Sequence, residues 1–298
     1  MGKVIADYWE RILFRPVSLR LLTVLRVTTF LFPLYLLASR YFEYLGLVPE
    51  DYFWQRIGTK WFSQLVWFQP SPAVIHIVHL LTMAACVSAV CGVAVRQTAL
   101  VASFGLLFLN NLQQVMTTAD AEVVPYAVAM WLFVVLDPKF HRPLWREFWA
   151  NDNIDECDRP PAFPFVLLQC LFVSIYFVNG WIKLPYFQQW VYAGAVQDYV
   201  YNWNQLTPLI DPLWQPSWTK LLPASMWGAM GAATLFFEVT TPVLLKYRRL
   251  IWIWWLPLAG MHLMIWATLT TSFLLFPILF FVSFLPFLFR DEPQGERR

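Results

Sequence analysis

Long, nearly unbroken apolar runs alternate with short polar stretches along this chain. A membrane helix needs about 20 mostly apolar residues. That criterion predicts eight helices, over roughly residues 20–39, 72–94, 97–112, 123–137, 164–183, 225–245, 250–269 and 272–289. The third and fourth are short for a span and suit tilted partners or partly re-entrant segments. The runs are continuous, whereas a membrane β-barrel shows short segments that alternate apolar and polar positions. The predicted fold is therefore all-α: a polytopic membrane bundle of about eight helices, one domain over residues 1–298.

The segments between the runs carry their own signals. Residues 40–71 hold Tyr41, Tyr44, Tyr52, Trp54, Trp61 and Trp67, and residues 184–224 hold Trp190, Tyr192, Tyr199, Tyr201, Trp203, Trp214 and Trp218. Trp and Tyr favour the headgroup level, where one edge is apolar and the other wet. Both segments read as short interfacial helices on the outer side. The three prolines of Leu206 to Pro216 exclude one continuous helix there and suit a lid or a tether. Residues 138–163 form a polar inner loop with Asp152, Asp155, Glu156 and Asp158 beside Pro160 and Pro161. A short segment 1–19 and a tail 290–298 flank the bundle. The first 19 residues are too polar for the apolar core of a cleavable signal.

Charge fixes an orientation. With the N-terminus inside, fifteen of the 21 Lys and Arg fall on inner segments and five on outer ones, and Arg26 lies within the first run. The positive-inside rule then places both termini in the cytoplasm. Composition agrees: 59% of the 298 residues are hydrophobic, 18% aromatic and only 13% charged. A soluble fold of this length cannot hide that much apolar surface. No basic tract or aromatic RNA-binding motif points to nucleic acid. Cys86, Cys91, Cys157 and Cys170 lack metal-site spacing and read as small packing residues.

Charge is costly in hydrocarbon, so each ionisable residue at membrane depth needs a reason. The candidates are Arg26, His76, His79, Lys183, Glu238 and His262, with Asp120 and Glu122 at an outer edge. His76 and His79 are three apart, on one helix face. With Lys183 and His262 they fall at similar depth in the outer half, as an outward-opening polar pocket would require. Glu238 and Arg26 lie deeper, where they suit pairing between helices. Each has a plain alternative: Lys183 a snorkelling anchor, the histidines packing groups, Asp120 and Glu122 loop acids. An HxxH pair without a third ligand is weak support for a metal, and no metal is expected. No glycine-rich phosphate loop, nucleophile elbow or paired CxxC is present.

Two stretches carry a family resemblance. Ile175-Tyr-Phe-Val-Asn-Gly-Trp-Ile-Lys-Leu184, followed by Trp190 and Gly194-Ala195, resembles the Y-F-x-x-G-x-x-K-L…W…G-x-A signature of the HTTM (horizontally transferred transmembrane) family. Phe236-Phe-Glu-Val-Thr-Thr-Pro-Val-Leu-Leu245, then Arg248, Arg249, His262 and Phe273, resembles the family's later pattern. That family includes the membrane part of the vitamin K-dependent γ-carboxylase. The resemblance implies a quinol-type cofactor and a bacterial inner-membrane location. It implies a catalytic Lys183 that deprotonates the quinol before O₂ reacts, with His262 orienting or polarising the ligand. His76, His79, Glu122 and Glu238 would supply further substrate contacts, with Tyr176 and Trp190 as apolar walls. A lysine at a dry membrane edge can act as such a base. The chain departs from the family at Ile182, where the carboxylase has a second lysine. It departs also at Asp120–Glu122, where a histidine is expected, and in showing no large extracytoplasmic domain.

The expected function is thus quinol or isoprenoid-lipid oxygenation at a membrane-edge lysine. The expected partners are the bilayer, a quinone or lipid, and a peptide or membrane protein. A non-enzymatic module that assists maturation or secretion of a peptide or partner is the alternative. A small-solute transporter is weaker, because no broken-helix repeat recurs in the two halves.

Overall fold

Ser71 and Pro72 open a helix in the way their chemistry favours. The Ser71 hydroxyl accepts from the Val74 N–H (3.4 Å), and Pro72 occupies a first-turn position that needs no N–H. Gly92 closes that helix in the left-handed region (φ 80°), where its N–H reaches Ala89 O at 3.1 Å. The computed structural model describes residues 10–39, 42, 46–47, 69–113, 123–141, 143–144, 159–192, 194, 196–198, 221–269 and 276–288. These residues are helical or irregular, with one isolated bridge between Pro16 and Pro161. The chain divides into two compact units, Met1–Pro164 and Phe165–Arg298.

The first unit holds α1 (Leu19–Ser39), α2 (Pro72–Cys91), α3 (Val95–Gln113) and α4 (Val123–Val135). The Gly92 turn folds α2 and α3 into an adjacent pair. Gly105 sits against the Thr82 side chain, so a Cβ there would collide and the two backbones come close. α1 packs on α2 and α4. Phe30 and Phe32 of α1 meet Phe133 and Tyr126 of α4, with ring centroids 5.8 and 4.3 Å apart. Backbone bonds from Val17 N to Pro160 O and from Ala162 N to Arg15 O, each 2.9 Å, tie the start of the unit to its end.

The second unit continues α5 (Phe163–Lys183) and adds α6 (Phe187–Val191), α7 (Ala224–Thr240), α8 (Val243–Lys246), α9 (Ile251–Leu269) and α10 (Phe276–Leu288). Its core is aromatic: Phe172 lies edge-on to Phe276 at 4.8 Å, and Phe165, Phe280 and Phe284 are fully buried. The break after α7 falls at Pro242, which has no N–H to donate to the Glu238 carbonyl.

Among the described residues, three stretches are long and apolar enough to cross a membrane: Leu19–Ser39, Pro72–Cys91 and Phe163–Val191. Val123–Val135 and Phe276–Leu288 are apolar but shorter. The eight expected apolar runs all contain helix, with ends shifted by a few residues. One expectation is corrected. The fifth helix does not stop near Lys183 but passes through a 3₁₀ turn, Leu184–Tyr186, into Phe187–Val191. Pro185 is compatible with that turn. At about 1.5 Å per residue the stretch is roughly 43 Å long, more than the ~30 Å hydrocarbon layer. The aromatic positions of residues 48–68 and 199–220, Asp120, Glu122, the acidic stretch 151–158 and the tail 290–298 lie outside the described residues.

His141, just past α4, was not among the expected residues. Its Nε2 meets Phe133 O at 3.0 Å, while its buried Nδ1 has no hydrogen-bond partner among the described residues. Burial, with smaller repulsion from Arg26 and Arg96, pushes its pKa down to about 4 against the hydrogen-bonding pull of the Phe133 carbonyl. The imidazole is neutral in the fold and protonates near pH 6.5 when unfolded. The unfolded chain therefore binds more protons between those values, so stability is full above pH 6.5 and falls toward pH 4. His141→Gln should lessen the acid-induced loss of unfolding free energy in detergent by on the order of 2 kcal/mol, read from melts across pH. Equal pH profiles for the two proteins would refute this.

Candidate functional site

α5 carries polar side chains at Gln169, Tyr176 and Lys183, seven residues apart. Seven residues are nearly two turns, so the three lie along one face at intervals of about 10 Å. Each is matched by polar groups of other helices in the second unit. Gln169 donates to Ser283 O (2.7 Å) and accepts from Arg248 Nε (2.9 Å). The Tyr176 hydroxyl bonds His262 Nε2 at 2.9 Å. Lys183 Nζ donates to both Glu238 carboxylate oxygens, at 2.8 and 2.7 Å.

The Lys183–Glu238 pair depends on a close helix approach. A Cβ on Gly180 would stand 2.7 Å from Glu238 Cβ and 2.9 Å from the Val239 nitrogen. Only glycine leaves room for α7 to bring its carboxylate under the ammonium. The same antiparallel register continues upward: Gly231 abuts Trp190 O, and Gly228 abuts Val191 O. It follows that Lys183 lies eight residues before the end of the helical stretch, level with a residue 14 positions into α7. Lys183 is a group within the helix packing, not a terminal anchor. Its Nζ also lies 4.9 Å from the Trp190 ring centroid, where the face of the ring attracts a cation. Side-chain exposure is 23% for Lys183 and 5% for Glu238.

Tyr176 and His262 are both buried. The His262 ring lies edge-on to Tyr176 (centroids 5.9 Å) and 5.6 Å from Phe276. A hydrogen-bonded Tyr–His pair can move a proton along one short axis, and an ammonium–carboxylate pair can do the same.

The expected residues divide as follows. Tyr176, Lys183, Trp190, Glu238 and His262 belong to the second unit, in the contacts just described. Tyr176 is a polar partner rather than an apolar wall. Glu238 pairs with Lys183, because the helix continues past Lys183 and brings the two to one level. His76 and His79 belong to the first unit and do not act as a matched pair. His79 is buried, with Nε2 2.9 Å from Leu37 O and its ring edge-on to Phe42, whereas His76 is exposed. Three residues turn a helix by about 300°, enough to put one on the packing face and the other at its edge. Glu122 lies outside the described residues. Among the described residues no group of three or more His, Cys, Asp or Glu is placed to hold a metal. The Gln169–Arg248–Ser283 level was missed, although the seven-residue spacing on α5 was its visible signal.

No protein-family model matches the chain, and no curated protein and no solved structure matches it either.

Gly180→Ala should lower stability in detergent by about 1–3 kcal/mol, because backbone rather than a flexible side chain must yield. Gly260→Ala, where a Cβ meets nothing within 4 Å, should be neutral or stabilise by about 1 kcal/mol through helix propensity. Thermal melts showing equal effects would refute the close-approach account.

Proposed function

We propose that the chain is an integral protein of the bacterial inner membrane, related to the HTTM family, with eight spans and both termini in the cytoplasm. In this reading it holds the polar head of a quinol-type isoprenoid lipid beside Lys183 and takes a proton from it. The Lys and Arg distribution, the three long apolar helices and the motif spacing around Lys183 and Glu238 support it. The observation that carries it is the bidentate Lys183–Glu238 pair, mostly withdrawn from solvent and capped by Trp190.

The proton steps are these. The Lys183 ammonium passes a proton to the Glu238 carboxylate, leaving a neutral amine and a neutral acid. The amine then accepts the quinol hydroxyl proton, and the quinol anion becomes the species that reacts with O₂. Tyr176, two turns along the same face of α5, and its partner His262 on α9 orient the ring. Trp190 provides a flat apolar wall. Lys183→Ala should cut oxidation of reduced menaquinone or vitamin K under O₂ by at least about 100-fold, the lower end of general-base effects. Unchanged turnover by purified, folded protein would overturn the base assignment.

One observation favours a second reading, a non-enzymatic membrane module that assists maturation of a peptide or partner. Each polar group on this face of α5 already has a partner within the protein. The charge-exchanged double variant Lys183→Glu with Glu238→Lys separates the readings. If the pair is catalytic, the double variant folds but does not turn over quinol. If the pair is structural, the double variant regains whatever cellular function the single variants lose.

A further inference from the structure

The seam between α7 and α9 is not closed along its length. Between Trp227, packed with Ile265, and Thr240, whose hydroxyl accepts from Trp254 Nε1 at 3.1 Å, the two helices leave a groove of about 350 Å³. That volume is in the range of ligand sites. Its cause is in the sequence. Pro257 deprives the Ile253 carbonyl of its helical donor, which weakens α9 where the seam opens. Ala233 and Gly260 bring almost no side chain to the gap, and a Cβ on Gly260 would touch nothing within 4 Å.

The groove is lined by Met230, Thr234, Phe237, Leu258, Met261 and Met264, beside the two small residues. Thr234 carries the one side-chain polar atom among the nine lining residues. The three methionines are flexible and polarizable, suited to a ligand of variable shape rather than a fixed outline. The groove lies around the middle of both helices, its lining running from Met230 to Phe237 within Ala224–Thr240 and from Pro257 to Met264 within Ile251–Leu269. Its rim is apolar and exposed: Phe236, Ile253, Leu256 and Leu263 are 58, 57, 62 and 52% accessible. Such a rim suits contact with hydrocarbon.

We infer that this seam seats one acyl chain of a bilayer phospholipid. At mid-height a phospholipid headgroup, held at the surface, cannot reach the groove, whereas a chain end can. Among the described lining residues only the Thr234 side chain is polar, too little to recognise a headgroup. The site thus selects for chain alone, and phospholipid is the chain in greatest excess around the protein. The chain supplies the packing that α7 and α9 do not make with each other at Gly260 and Ala233, on the helices that carry Glu238 and His262. The inference rests on the membrane-spanning part of the proposed function and not on the quinol chemistry.

The test uses the full chain in phosphatidylcholine vesicles in which a small share of the lipid bears a photoreactive diazirine on one acyl chain. After illumination, peptide mapping should show label on Met230, Met261 and Met264 exceeding that on the lipid-facing Leu256 and Leu263. Gly260→Phe places a ring in the open groove, and Ala233→Leu narrows it from the other wall. Either should reduce groove labelling by at least about threefold, the scale of a modest loss of binding energy, with rim labelling unchanged. Labelling of groove and rim that stays equal, or groove labelling untouched by both variants, overturns the proposal. So does loss of groove label when a few per cent of a prenyl quinone is added, which would give the seam to a prenyl chain. Failure of the chain to insert into vesicles at all would instead overturn the membrane reading beneath it. Because Gly260 is unobstructed, a folded Gly260→Phe variant is expected by size-exclusion chromatography.

Discussion

In hydrocarbon a polar side chain has no water to fall back on, so it is kept only where another helix answers it. The buried face of α5 follows that constraint along its whole length. Gln169, Tyr176 and Lys183 recur every seven residues, and α7, α9, α10 and the Arg248 turn each send a partner. These bonds fix the axial register of the helices of the second unit in a way that Phe and Leu contacts alone cannot. An apolar surface tolerates a slide of one turn, whereas a slide of one turn here leaves an ammonium, a carboxylate and an amide unmatched.

Glycine is what makes the most demanding of these matches possible. A carboxylate side chain is short, and Glu238 reaches Lys183 because α7 lies directly against Gly180. The same approach recurs at Gly228 and Gly231 against the α6 backbone and, in the first unit, at Gly105 against Thr82. Between membrane helices there is little hydrophobic driving force, so association relies on close packing and on hydrogen bonds between helices. The second unit uses both at one place. Gly260 is the counterexample, a glycine facing open space, and it marks where the packing is left to the surrounding medium.

Much of the helical framework was legible in the sequence. The eight apolar runs all contain helix, although the expected helices 72–94 and 225–245 ran past Gly92 and Pro242, where local chemistry ends the observed ones. Parts of the site were legible too, since Lys183, Glu238 and His262 were conspicuous as rare ionisable residues among apolar neighbours. Their partnerships were not. Estimating depth from the ends of apolar runs put Lys183 at a membrane edge and Glu238 deeper. The 3₁₀ turn at Leu184–Tyr186 carries the helix on and cancels that difference. Tyr176 was read as an apolar wall because a tyrosine among phenylalanines gives no sign of its hydrogen bond. His76 and His79 share a spacing but not an environment, and which one faces a neighbour depends on how α1 packs.

The sequence by itself determined that the chain is helical, that its polar residues are few, and where most helices start and stop. Those features rest on side-chain periodicity, backbone donors and transfer energies, all of which act within a few residues. Only the tertiary structure decided that Lys183 meets Glu238, that Tyr176 meets His262, and that α7 and α9 part at mid-height. Such pairings join residues 55 and 86 positions apart. They are set by which helix faces fit closely enough to satisfy every buried polar group at once, a condition that no single segment carries.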